Sequence, residues 1–320
     1  MVHIAILDVD VPVPTVYSAR GLYSSIFRHL LLSAASRRNL PPSTIYTTAF
    51  DVVGGSLPPL SALRTSPPHS SANGSSLNRD GDAAAEASNP LAHPIDGILI
   101  TGSAAAAYES AKYPWIPPLQ AFLQTVFNEY PHVKIFGACF GHQILAQALL
   151  SASESKPQTS ISTSIPPTVM VEKCPRGREM GLVGVLLDAD FRARFHSVLH
   201  PALPDKDRMR LQMVHGDWVV LRPGVERLPA PWMNVGSTEM CPVQGLYYPG
   251  RVLTFQGHFE FDVFMSLETC LEFARRGGWE REEVERSLEL IGKGRVEGQA
   301  EDDDDSRVAA EVVLEFFRGG

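Results

Sequence analysis

The stretch Val133–Gln143, which reads VKIFGACFGHQ, decides the fold class. Its first residues suit a buried strand, and apolar residues then recur at helical spacing over 144–149. Between the two lies Gly137–Gly141, GACFG, which fits the nucleophile-elbow pattern G-x-[SC]-x-G with a cysteine as nucleophile. The order of strand, sharp turn and helix places Cys139 in the turn and favours an α/β fold.

The residues around Cys139 suit a nucleophile. A tight strand-to-helix turn strains the backbone at its centre, and Gly137 and Gly141 would relieve the crowding there. The following helix would point its free N–H groups and positive dipole end at the sulfur, which favours a thiolate. The N–H of Phe140 would lie where an oxyanion forms. A buried structural cysteine in a glycine-rich turn explains the pentapeptide equally well.

A second signal, His258-Phe259-Glu260, follows the predicted strand Arg251–Gln256. Residues i and i+2 of an extended chain point to the same side, so Glu260 can hold the imidazole of His258 in one tautomer. A cysteine needs such a base to take its proton and to return it to a leaving amine. His-x-Glu occurs by chance in many chains. It indicates a catalytic pair only because the same chain also has the cysteine elbow.

Two further turns follow predicted strands. Thr101-Gly102-Ser103 can offer a backbone N–H as a second oxyanion donor, although alone it indicates only a loop. His215-Gly216-Asp217 carries two possible metal ligands, but no third ligand lies at a familiar spacing, so we expect no metal. The chain has neither a phosphate loop nor a dinucleotide fingerprint, and we expect no cofactor. A serine elbow is also missing, and an acid two residues after its base fits an α/β-hydrolase poorly.

The rest of the chain alternates strands with helices. Strands are predicted at Val2–Leu7, Thr44–Val53 and Ile95–Ile100, and helices at 21–35 and 117–129. Later strands are predicted at Val169–Glu172, Leu182–Leu187 and Met209–Val214, and two or three helices close the chain. This alternation predicts an α/β fold around a largely parallel sheet.

Composition changes sharply in two places. Thr65–Pro94 and Ser151–Pro167 are rich in Ser, Pro, Ala and Thr with few large apolar residues, so we predict two inserts, at 65–94 and 151–167, that are disordered or lie on the surface. The acidic run Glu301–Asp305 predicts a solvated linker between the closing helices.

Charge and cysteine content narrow the functional classes. The 320 residues include 36 Asp and Glu and 28 Lys and Arg, which gives a net charge of −8. This acidic balance argues against nucleic-acid binding and against a polybasic membrane anchor. No stretch has the ~20 apolar residues of a membrane span, and the N-terminus lacks a secretory signal. Cys139 and the three other cysteines form no C-x-x-C pair, so we expect a cytoplasmic protein. Cys174, Cys241 and Cys270 are expected to be apolar fillers or surface thiols.

Taken together, these motifs resemble the class I glutamine amidotransferase domain, a cysteine–histidine–glutamate glutaminase. The resemblance spans roughly residues 1–275 apart from the inserts, and the elbow with its trailing His142-Gln143 and the late G-H-x-E are its specific parts. It is closest to free-standing members such as plant γ-glutamyl peptidases and their fungal relatives. Phe259 departs from the family pattern, which has proline between the histidine and the glutamate.

The resemblance implies a flavodoxin-like three-layer sandwich with a mostly parallel sheet over residues 1–275, followed by a helical extension over 276–320. It implies that Cys139 attacks a γ-carbonyl group and that His258 acts as base and acid, oriented by Glu260. The resemblance also implies that the backbone N–H groups of Gly102 or Ser103 and of Phe140 form the oxyanion hole. It further implies that Gln143, His215 and Asp217 contact the substrate.

Three functions remain open. The first is hydrolysis of a γ-glutamyl amide, in a γ-glutamyl peptide, a glutathione conjugate or glutamine, through a γ-glutamyl thioester. The second is a glutaminase subunit that delivers ammonia to a separate synthase, since the roughly 60 residues after Phe261 are too few for a synthase domain. The third is a non-catalytic binding or regulatory protein of the same fold.

Overall fold

A computed structural model describes residues 1–67, 93–151, 167–203, 207–295 and 303–319. Most of both predicted inserts, and Glu301 and Asp302 of the acidic run, lie outside these described residues. The strands are β1 Val2–Asp8, β2 Ile45–Asp51, β3 Gly97–Ile100, β4 Lys134–Ala138, β5 Val169–Lys173, β6 Glu179–Leu187, β7 Arg208–His215, β8 Asp217–Leu221, β9 Met233–Asn234, β10 Gly236–Ser237, β11 Leu246–Tyr248 and β12 Val252–Phe255. The α-helices are α1 Pro14–Arg20, α2 Tyr23–Arg37, α3 Ile116–Glu129, α4 Phe140–Leu150, α5 Ala189–Arg194, α6 His196–Ala202, α7 Val263–Gly277, α8 Arg281–Gly292 and α9 Ser306–Arg318.

A seven-stranded sheet forms the centre of the molecule, in the order β2-β1-β3-β4-β12-β11-β9. The first five strands are parallel, whereas β11 and β9 each run antiparallel to the preceding neighbour. The parallel part has the 2-1-3-4-5 order of flavodoxin-like folds, with β12 as the fifth strand. The predicted α/β fold with a mostly parallel sheet is confirmed.

Helices cover both faces of this sheet because successive side chains of each buried strand alternate between them. Ile4 and Ile6 of β1 belong to a core that includes residues of α2, α7 and α9. Ala5 and Leu7 belong to the opposite core, with residues of α3 and α4. The result is the expected three-layer sandwich.

A smaller antiparallel unit lies beside the main sheet. Strands β10, β6 and β7 form one sheet, and β5 pairs with β8 in another. The register of β6 against β7 sets Glu179 opposite His215. Strand β7 also meets the loop after β12, since the N–H of His258 donates to the carbonyl of Gln212. This unit therefore brings the end of β7 next to the loop that carries His258.

The closing helices belong to the same packed core as the sheet. Helix α9 packs against α2 and α6, and Phe316 and Phe317 on it are buried. Asp303 and Asp305, which we expected in a solvated linker, instead bind Arg210 of β7, and Asp305 is buried. The division of the chain at residue 275 stays a prediction.

No helix within the described ranges is long and apolar enough to cross a membrane. The four cysteines are all buried and unpaired, so Cys174, Cys241 and Cys270 are fillers of the interior rather than surface thiols.

Replacing Phe316 with alanine tests whether α9 is part of the same cooperative unit. We expect Phe316→Ala to lower the free energy of unfolding by about 3–5 kcal/mol, because it leaves a cavity in the core. Leu271→Ala, at a side chain that is 45% exposed, should change it by less than about 0.5 kcal/mol. Urea denaturation measures both. A Phe316→Ala transition at the wild-type midpoint would show that α9 docks independently of the core.

Candidate active site

Cys139 occupies the turn between β4 and α4 in a strained backbone conformation. Its φ is 49° and its ψ is −102°, a combination that residues other than glycine rarely adopt. A Cβ on Gly137 would lie 2.4 Å from the carbonyl of Gly141, and one on Gly141 would lie 2.6 Å from the carbonyl oxygen of Ile100. Both positions thus exclude any side chain, and the structure has the sharp elbow that the sequence predicted.

His258 and Glu260 form a buried pair in the loop after β12. The Nδ1 of His258 lies 2.6 Å from the Oε1 of Glu260, and both residues are about 4% exposed. The imidazole also stacks on the ring of Phe261, with centroids 4.2 Å apart. The carboxylate therefore orients the ring, and Nδ1 donates to it.

The loop at Gly102 brings Cys139 and His258 together. A Cβ at Gly102 would lie 3.2 Å from the Cε1 of His258 and 3.7 Å from the Cβ of Cys139. The Nε2 of His258 is buried and makes no hydrogen bond of normal geometry to the described residues. Burial lowers the pKa of His258, but the charge of Glu260 and the neighbouring Cys139 raise it by more, to about 10 overall. This ring nitrogen is the group available to exchange a proton with the thiol.

The expected oxyanion donors flank Cys139. No backbone hydrogen bond between described residues engages the N–H of Gly102 or Ser103, and Phe140 is the first residue of α4, where an N–H has no helical acceptor. Asp10 anchors the first loop, since its Oδ2 accepts from the N–H of Ala104 at 2.8 Å and from the hydroxyl of Ser103 at 3.1 Å. Asp10 belongs to no motif in the sequence and was not predicted as a site residue.

A chain of amide side chains leads from α4 to the sulfur. Gln143 donates through Nε2 to the side-chain oxygen of Gln256 at 3.1 Å and to the carbonyl of Asp217 at 3.2 Å. Gln256 in turn donates to the Sγ of Cys139 at 3.5 Å. Gln143 thus lies near the thiol and its Nε2 already donates to two protein acceptors, so its role in substrate binding stays a prediction. Gln256, which lies two residues before His258, was likewise not predicted as a site residue.

His215 and Asp217 line the same cavity as Cys139, but their side chains differ in availability. Both ring nitrogens of His215 are engaged, by the carbonyl of Asp217 and by Glu179, each at 3.0 Å. Burial raises the pKa of Glu179, but the hydrogen bond and charge of His215 lower it by more, so the net pKa is lowered. Asp217 accepts a hydrogen bond from the hydroxyl of Tyr108 at 3.0 Å, and burial raises its pKa. The predicted role of His215 in substrate binding is therefore limited to shaping the wall.

Two residues of the sequence motifs, His142 and Phe259, are buried in the interior of the protein. His142 is fully buried, with Nδ1 2.8 Å from the hydroxyl of Thr254, and burial lowers its pKa to about 3, so the ring is neutral. Phe259 replaces the expected proline and packs its ring against those of Phe27 and Phe136. The substitution thus fills the core while His258 and Glu260 keep their contact.

Cys139 lies at the floor of a cavity of about 530 Å³. The cavity is also lined by Gln143, by the turn at 215–217, by Arg178 and by residues at the end of α7 and just after it. Within the described ranges, no three His, Cys, Asp or Glu side chains are grouped as metal ligands would be. A cavity of this volume lies in the size range of small-molecule binding sites.

The fold is that of glutamine amidotransferases. The structure aligns with a crystal structure of a glutamine amidotransferase from Thermotoga maritima over 99% of this chain and 98% of that one, with a TM-score of 0.54 and 14% sequence identity. No protein-family model matches the sequence.

Sequence relatives give the family. The chain is 30% identical over 261 residues to a protein of Schizosaccharomyces pombe named as glutamine amidotransferase-like, a match that covers 82% of this chain and 80% of that one. A protein of Saccharomyces cerevisiae named as a glutamine amidotransferase is 33% identical over 169 residues, 52% of this chain and 53% of that protein. The chain belongs to the glutamine amidotransferase-like family.

The raised pKa of His258 predicts a pH dependence of stability. The folded protein holds the proton more tightly than the unfolded chain, so this contribution is fully present below pH 6.5 and is lost as the pH rises to about 10. We expect the stability advantage of the wild type over His258→Gln to shrink across this window, as measured by urea denaturation. A stability difference between the wild type and His258→Gln that stays constant from pH 6.5 to 10 would contradict the raised pKa of His258.

Proposed function

We propose that the protein hydrolyses a γ-glutamyl amide bond through a γ-glutamyl thioester on Cys139. The main support is the geometry at the elbow: the strained Cys139 and the ring of His258 both lie next to Gly102, and both side chains line the same small cavity. The 2.6 Å contact between His258 and Glu260 gives the base a fixed orientation. A nucleophile, a base and a group that orients the base are the parts that covalent amide hydrolysis requires.

In the first half-reaction, the thiol proton has already passed to the Nε2 of His258, whose raised pKa holds it there, and the sulfur of Cys139 attacks the γ-carbonyl carbon as a thiolate. The carbonyl oxygen becomes an oxyanion, and the N–H groups of Phe140 and of Gly102 or Ser103 donate to it. The tetrahedral intermediate collapses when the C–N bond breaks and the imidazolium gives its proton to the departing amine or ammonia. Glu260 stabilises the imidazolium in this interval.

In the second half-reaction, water attacks the thioester carbon and His258 accepts a proton from it. The carbon–sulfur bond then breaks, the thiol recovers its proton, and glutamate leaves. Removing one oxyanion donor in enzymes of this type costs about 10²–10³-fold in rate. Asp10 matters for the same reason, because it holds the loop of Gly102 and Ser103 in place.

The α-amino-acid end of the glutamyl group would lie toward Gln143 and Asp217. Both line the cavity with Cys139, and the carboxylate of Asp217 has the charge to pair with an α-ammonium group. His215 would hold the adjacent turn in shape through Glu179. The alternative in which ammonia passes to a separate synthase uses the same first half-reaction, and it differs in requiring a partner for full activity.

Removing the thiol of Cys139 tests the proposal. We expect Cys139→Ala to abolish glutamate release from glutathione, a glutathione conjugate and glutamine, as followed by mass spectrometry of the products, because no other group can form the thioester. Cys270→Ala removes another buried thiol and should retain activity.

The wild-type protein decides between the functions in the same assay. Release of glutamate without a partner supports hydrolysis, whereas weak release that a co-purifying synthase strongly stimulates supports ammonia delivery. No release from any of the three substrates by correctly folded protein, with or without such a partner, would overturn the enzymatic proposal and leave a non-catalytic protein of this fold.

A further inference from the structure

The cavity above Cys139 is larger than free glutamine requires. Its volume of about 530 Å³ lies in the range of about 300–1,000 Å³ that drug-sized ligands fill, and glutamine is a much smaller molecule. Once a glutamyl group is placed beside Gln143 and Asp217, space remains toward the end of α7. The leaving amine of a larger γ-glutamyl compound can occupy this space.

The far side of the cavity, which we call the outer wall, consists of Arg178, Phe273, Arg276 and Trp279. The guanidinium of Arg178 lies 4.1 Å above the indole ring of Trp279 and donates to Glu283 at 2.6 Å. Aromatic rings and cations alternate along this wall. It therefore offers apolar contact and positive charge to whatever extends beyond the thiol.

Three cationic side chains line the cavity, and each is also paired with a glutamate outside the lining, Glu109, Glu283 or Glu272. These cations are Lys112, Arg178 and Arg276, and Asp217 is the one carboxylate among the described lining residues. One N–H of Arg276, at Nε, donates to Glu272 at 2.8 Å, and its side chain is 54% exposed. A guanidinium has five donors, so Arg276 keeps N–H groups for a ligand. A planar fork of this kind matches a carboxylate.

Arg276 is placed on the side of the leaving group. A second cavity, of about 40 Å³, is lined by His258, Cys139, Phe273 and Arg276, so Arg276 and Phe273 border both spaces where they meet at the thiol. His258 is the group that would protonate the departing amine. Substituents on that amine can therefore reach Arg276, which borders the same small cavity as His258.

We propose that the outer wall is a subsite for a leaving amine that carries a carboxylate, with Arg276 as the residue that binds it. The substrate class is then a γ-glutamyl peptide with a free C-terminal carboxylate rather than free glutamine. This inference rests on the proposed hydrolysis for its direction along the cavity, but the binding it describes can be measured without turnover.

The kinetic test compares γ-L-glutamyl-L-alanine with its C-terminal amide. We expect the wild type to have a kcat/KM at least about tenfold higher for the acid, chiefly through KM, because a charge-assisted hydrogen bond contributes about this much. Arg276→Gln should lose the preference for the acid, and Arg276→Lys should retain part of it. Arg275→Gln is the matched control, since Arg275 is the neighbouring arginine on α7, also binds Glu272, and does not line the cavity. It should keep the wild-type preference.

A binding test separates this inference from the proposed reaction. Isothermal titration of both peptides into Cys139→Ala, and into Cys139→Ala with Arg276→Gln, measures affinity where no thioester can form. Tighter binding of the acid that requires Arg276 supports the subsite even if the wild type hydrolyses nothing. Equal affinity for acid and amide, or a preference that survives Arg276→Gln, overturns it even if hydrolysis proceeds.

Discussion

The structure depends on the backbone at Cys139. One residue in a disfavoured conformation turns the chain from β4 directly into α4, and two close backbone approaches make this turn possible at Gly137 and Gly141. A turn this tight presents the thiol to the cavity at the carboxyl end of the sheet, where open α/β folds bind ligands. The free N–H groups at the start of α4 point to the same place. Strain at this residue is thus compensated by the packing of the sheet around it.

The remaining parts of the site come from segments that the fold brings to that edge. The loop after β3 supplies backbone donors and is held by Asp10, and the loop after β12 supplies His258 with its carboxylate partner. The antiparallel unit adds the wall at 215–217, and the closing helices add Arg276 and Trp279.

The elements and the proposed catalytic residues could be predicted from the sequence because their signals are local. The strands at the centre of the sheet show apolar runs, and Cys139, His258 and Glu260 sit in short motifs with a direct chemical meaning. Asp10 lacks such a signal, since its partners lie 93 and 94 residues away. The pair of Glu179 and His215 depends on strand register, and the outer wall depends on how α7 packs against β7. Short strands such as β9 and β10 have too few residues for a periodic pattern.

The most direct test is to stop the reaction with acid during turnover of a γ-glutamyl peptide and map the protein by peptide mass spectrometry. The account predicts one γ-glutamyl group on the peptide that contains Cys139 and none on the peptides that contain Cys174, Cys241 or Cys270. Glutamate release in step with a γ-glutamyl adduct on another residue, or with Cys139 unmodified at every time point, would contradict it.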